Sequence, residues 1–120
     1  MSEHPVVHIE ITSKDPKKAS DFYKSVFGWK MEHDERFDYY QFVPQSGPSG
    51  AFPQMQSDLF KSGDIIPYIG TDDIDADLKK VESEGGKVLV PKTEIPQTGW
   101  YAIFSDPNGA RVGLYTRMES

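Results

Sequence analysis

Apolar and polar residues alternate through "VVHIEI" (6–11). Val7, Ile9 and Ile11 fall on one side of an extended chain. His8, Glu10 and the following Thr12 fall on the other. The pattern predicts a half-buried strand carrying an imidazole and a carboxylate on one face. In "SKDPKKASDFYKSVFGWK" (13–30) the period lengthens. Ala19, Phe22, Tyr23, Val26 and Phe27 recur at helical spacing and form one apolar stripe, which is expected to face the core. Asp15 can cap this helix, Pro16 suits its first turn, and Gly28 ends it.

Strand-like pieces follow at 29–33, 39–43 and 51–56, the last limited by Pro53 to an edge or a bulge. "PQSGPSG" (44–50) reads as a loop, permissive enough at "GPSG" to serve as a lid. Residues 57–64 read as a polar linker. The order then repeats. "IIPYIG" (65–70) is a strand, and 71–86 is a helix with Asp caps, apolar Ile74, Leu78 and Val81, and a Gly85–Gly86 stop. "KVLV" (87–90) is a strand and 91–99 a loop. Residues 100–104 and 110–117 form a hairpin across the turn "SDPNG" (105–109). Asp15 and Asp73 stand 58 residues apart, as do Gly28 and Gly86. A period of that length, used twice, indicates a duplicated supersecondary unit.

The 120 residues fit a single domain, 1–120, with modules at about 5–56 and 65–117. There is no Cys, so disulfides and thiolate chemistry are excluded. A net charge of −6 argues against nucleic acid or an anionic membrane as partner. No long apolar run and no secretory signal is visible, which leads us to expect a soluble cytoplasmic protein.

Candidate chemistry centres on His8 and Glu10. His8 reads as a cavity residue able to bind or deprotonate a ligand, as the remnant of a metal site, or as a structural imidazole. Glu10 reads either as half of an ion pair or as the partner of a cationic ligand. Tyr40, Phe42, Phe52, Trp100 and Tyr115 are candidates to line a cavity, with core packing as the alternative for each. No phosphate loop is present, and no Ser–His–Asp arrangement can be argued from spacing.

The runs "HIEITSKDPKKASDFYKSVFGW" and "DDIDADLKKVESEGGKVLVPKTEIPQTGWYAIFSDPNGARVGL" make the chain resemble the vicinal oxygen chelate superfamily over roughly residues 5–117. That superfamily includes glyoxalase I, bleomycin-resistance proteins and extradiol dioxygenases. The resemblance implies an α+β fold of two βαβββ modules forming an incomplete mixed β-barrel around a cavity. It also implies a homodimer, as in many members. Metal-using members take ligands from the first and last strand of each module. His8 matches the first of these positions. Ile66 stands at the second, only Gln54 and Gln56 are available at the third, and Gly113 stands where a Glu is expected. No native metal or other cofactor is therefore expected. The expected function is binding of a small organic molecule in the barrel cavity. The alternatives are a metal-dependent lyase, isomerase or dioxygenase of the glyoxalase type using His8 and Glu10, and a dimerising interaction domain.

Overall fold

Two aspartates start the two helices. Asp15 adopts an extended backbone and its carboxylate accepts from the Lys18 N–H at 3.1 Å, with Pro16 opening helix α1, Pro16–Phe27. Asp73 does the same for helix α2, Ile74–Ser83, accepting from the Ala76 N–H at 3.0 Å. Each cap satisfies a donor that the helix itself leaves unpaired. Gly28 ends α1 in the left-handed region, φ 71°, and its N–H returns to the Lys24 carbonyl. At the end of α2 the left-handed residue is Gly85, φ 96°, one position earlier than the repeat predicts.

The computed structural model describes residues 3–36, 38–54, 61 and 63–118. In chain order the strands are β1 (Val6–Ile11), β2 (Met31–Asp34), β3 (Tyr39–Phe42), β4 (Ser49–Ala51), β5 (Ile65–Gly70), β6 (Lys87–Ile95), β7 (Gly99–Ser105) and β8 (Arg111–Arg117). Helix α1 follows β1, and α2 follows β5. The chain divides into two compact units, His8–Ile66 and Pro67–Ser120 with Met1–Val7. The unit boundaries fall inside β1 and β5.

The N-terminal unit orders its strands β2-β3-β4-β1, with β1 and β4 parallel and the other pairs antiparallel. The C-terminal unit orders its strands β6-β7-β8-β5, again with only the β5–β8 pair parallel. The two βαβββ modules thus share one topology, and the fold is α+β as expected. No described helix is long and apolar enough to cross a membrane.

Below α1, aromatic rings form the core of the N-terminal unit. Tyr23 stacks on Phe52 at 5.2 Å and on Trp29 at 5.4 Å, and Trp29 meets Phe42 at 4.5 Å. Phe52 has no exposed surface. In the C-terminal unit, Ile74 and Leu78 of α2 bury against Ala102 and Leu114, with Ile69, Val88, Trp100 and Phe104 at the margin.

Several expectations need correction. The α1 stripe is not all core: Phe22, Val26 and Phe27 are 57%, 54% and 60% exposed, while Ser20 is buried. Ser20 and Tyr23 mark the line facing the sheet. Phe22 lies about 100° around the helix from Tyr23 and so turns away from it. Strand β4 covers 49–51 instead of 51–56, so the second half of the proposed lid is strand. Gln56 and most of the expected linker lie outside the described residues. Its described end is fastened: the Thr12 hydroxyl donates to the Lys61 carbonyl at 2.6 Å, and the Thr12 N–H to that of Asp64 at 2.9 Å. Strand β6 runs on to Ile95 through register shifts near Val90, where a loop was expected. The "SDPNG" turn is as expected. The Asp106 carboxylate accepts from the Asn108 and Ala110 N–H groups, and Gly109 takes φ 92°.

Candidate functional site

Strand register in the N-terminal unit decides which side chains share a face. His8 is opposite Ser49, and Glu10 is opposite Ala51. Gln41 is also opposite Ala51, while Glu32 pairs with Gln41 and Asp34 with Tyr39. Directly paired residues point the same way. One face therefore carries His8, Glu10, Ser49, Tyr39, Gln41, Glu32 and Asp34. The opposite face carries Ile9, Phe42 and Tyr40, toward the side where Phe42 joins the aromatic core beneath α1.

Four of the polar side chains are linked. Ser49 Oγ lies 3.5 Å from His8 Nδ1, and the Tyr39 hydroxyl lies 3.4 Å from His8 Nε2. Tyr39 also hydrogen-bonds to Glu10. One tautomer accommodates the whole chain. Ser49 donates to Nδ1, the Nε2–H group donates to the Tyr39 oxygen, and Tyr39 donates to the Glu10 carboxylate. The contacts to the imidazole are at the long end for hydrogen bonds, as in sites that tighten when a ligand arrives.

Burial pushes His8 down from its usual value near 6.5 to about 4. The ring is therefore neutral at pH 7 and keeps a lone pair. Burial, reinforced by the nearby Glu10 charge and hydrogen bond, pushes the Tyr39 phenol well up, so it remains a donor. Farther along, Glu32, His33, Asp34, Glu35, Arg36 and Gln41 line an open depression of about 460 Å³. Arg36 there is held by Asp34 at 3.0 Å.

A pH dependence follows. Unfolded His8 gains its proton near pH 6.5, and folded His8 gains it only near pH 4. Between those values the unfolded state binds more protons, so stability falls as pH falls. The contribution is complete above pH 6.5 and is lost progressively toward pH 4. Urea titrations should show the wild type losing stability faster than His8→Gln across this window, by up to about 1.4 kcal/mol per pH unit. Parallel slopes would contradict a buried, neutral His8.

Of the seven residues named from sequence, the structure links His8 and Glu10. Phe42 and Phe52 are buried in the aromatic core, and Tyr40 stacks on His33 at 4.2 Å. These three do not share the His8 face, because they pack the helix side or follow its strand parity. In the C-terminal unit, Trp100 packs at the margin of the α2 core, with Lys92 Nζ 5.3 Å from its ring centre. Tyr115 lies on the other face of that sheet, paired with Tyr101, and donates to the Thr98 carbonyl at 3.4 Å. Tyr39 and Ser49 escaped the sequence reading. Alternation places Tyr39 opposite in face to Tyr40. The pairing of Ser49 with His8 spans 41 residues and leaves no local signal.

Among the described residues, the donors near His8 are few for a divalent metal centre. His8 and Glu10 are accompanied by a phenol and a hydroxyl, where zinc takes three or four imidazole, thiolate or carboxylate ligands. Ile66 is a buried hydrocarbon side chain, and Gly113 offers no donor. Among the described residues, no group of three or more His, Asp or Glu is placed to hold an ion.

Comparison with known proteins places this geometry in a family. Residues 6–114 match the model of the Glyoxalase/Bleomycin resistance protein/Dioxygenase superfamily, and the chain belongs to that family. Among curated relatives, CFP32 of Mycobacterium tuberculosis, which carries a provisional glyoxylase name, is 29% identical over 89% of this chain and 43% of its own length. The anthracycline biosynthesis protein DnrV of Streptomyces peucetius is 27% identical over 90% of this chain and 45% of its own length. The chain thus spans less than half the length of these relatives. The methylmalonyl-CoA epimerase structure from Mycobacterium tuberculosis superposes with a TM-score of 0.70 at 16% identity, covering 96% of this chain and 89% of that one. This likeness shows the shared fold.

Proposed function

We propose that the His8 face of the N-terminal unit binds a small organic molecule bearing a cationic or hydrogen-bond-donating group. The observation that carries this reading is the composition of the face. Glu10 supplies a carboxylate, Gln41, Ser49 and the neutral His8 supply acceptors, and Glu32 and Asp34 add carboxylates that are already paired with Lys30 at 3.7 Å and Arg36 at 3.0 Å. Every register position assigned to this face is free of Lys and Arg. A cationic group would gain charge-assisted hydrogen bonds to Glu10, steadied by the Tyr39 hydroxyl. Membership of a family that includes bleomycin-resistance proteins supports small-molecule binding, and no metal enters the proposal.

The test is calorimetric titration following a thermal-shift screen. The panel contains aromatic and aliphatic amines, polycyclic aromatic compounds (prompted by the name of DnrV) and small carbonyl compounds. Glu10→Gln should weaken a cationic hit about tenfold or more, the effect of removing one charged hydrogen bond of about 1.5–3 kcal/mol. A hit indifferent to Glu10→Gln, Tyr39→Phe and His8→Ala would overturn the assignment of this face.

A second reading is proton transfer by His8. It is favoured by a neutral imidazole whose Nδ1 meets the Ser49 hydroxyl at a long 3.5 Å, and burial, which lowers His8 to about 4, makes it a weak base suited to an acidic substrate proton. Turnover of a bound carbonyl compound that disappears in His8→Gln, with binding retained, would distinguish it from binding alone.

A further inference from the structure

In the C-terminal unit, the parallel pair β5–β8 repeats the β1–β4 pair of the N-terminal unit. Tyr68 stands opposite Gly113, and its counterpart by the 58-residue repeat, Glu10, stands opposite Ala51. Tyr68 is 6% exposed, and its ring lies directly over the Gly113 α-carbon. A β-carbon added at 113 would overlap three atoms of that ring. Gly113 is therefore required by its neighbour across the strand pair. No left-handed backbone angle accounts for it, since Gly113 is not among the glycines with positive φ.

We infer that Tyr68 and Gly113 are one interlocked pair, in which the tyrosine ring occupies the space a side chain at 113 would need. The position that resemblance gives to a metal-binding carboxylate is thus filled by an aromatic ring. A ligand cannot be restored there by changing residue 113 alone; the two positions must change together. The N-terminal unit keeps hydrogen-bonding groups at the matching strand pair, and the C-terminal unit keeps a packed ring. The two modules share a topology but do not offer the same chemistry.

The test is a double-mutant cycle on the full chain. Gly113→Ala should lower the melting midpoint by about 10 °C in the presence of Tyr68, the scale of overpacking a filled site. The same change should cost a few degrees at most in a Tyr68→Ala background. If Tyr68→Ala does not fold, Tyr68→Val supplies a background with a strand-compatible side chain and no ring. Equal losses in both backgrounds would overturn the interlock. A second readout is metal content of Gly113→Glu after incubation with Zn²⁺, Ni²⁺ or Mn²⁺ and dialysis. The expected result is an unstable protein that retains no stoichiometric metal. A variant with the wild-type midpoint and about one metal per chain would overturn the inference.

Discussion

Gly50→Ala is expected to destabilise the N-terminal unit by about 3 kcal/mol or more. Gly50 lies in β4, between β1 and β3, with the Phe42 ring over it on the helix side. A methyl group there would overlap both that ring and the Ile9 carbonyl oxygen. The ring could in principle move. The carbonyl is part of the backbone of the neighbouring strand and cannot yield without parting β1 from β4. Overpacking usually costs about 1–3 kcal/mol, and a backbone clash belongs at or beyond the upper end. Most domains have only 5–15 kcal/mol to lose. Chemical denaturation followed by tryptophan fluorescence would report the change through Trp29, which stacks in the same cluster. A midpoint within error of the wild type would mean that β1 and β4 do not approach as closely as described.

Phe52→Ala should cost about 3–5 kcal/mol, the range for emptying a buried phenylalanine site. Phe52 has no exposed surface and touches both Tyr23 and Phe42. Its loss would free Tyr23, and with it the hold of α1 on the sheet. Phe52→Leu fills most of the volume and should lose much less. Similar losses for the two variants would point to the ring contacts, and not to the cavity, as the source of the stability. The result also bears on function, since Phe52 was a candidate cavity residue by sequence. A core role predicts a loss of stability, with ligand affinity per folded molecule unchanged.

Much of the fold was legible because its signals are local. Asp15, Pro16, Gly28 and Asp73 mark helix ends through bonds within a few residues, and their 58-residue repeat reveals the duplication. The alternation in "VVHIEI" correctly puts His8 and Glu10 together. The rest of the site depends on register between distant segments. Ser49 reaches His8 through a parallel pairing that no local pattern encodes, and the reading of 44–50 as a loop concealed it. Tyr39 and Tyr40 look alike in sequence, yet they sit on opposite faces. Composition also misled at Phe22 and Val26. Helical spacing shows that a stripe exists, but not how much of it the sheet covers.

The division of β1 between the two units has a consequence for the order in which the chain can fold. Residues 5–7 belong with the C-terminal unit, since the Gly70 N–H bonds to the Pro5 carbonyl at 2.7 Å. During synthesis, residues 5–7 emerge before β5, some 60 positions later, and must wait for it before finding their partner. The N-terminal unit can collapse around Phe52 in the meantime. Residues 5–7 are thus among the last of this domain to be secured, and deleting them would damage the unit whose other strands lie farthest from them in sequence.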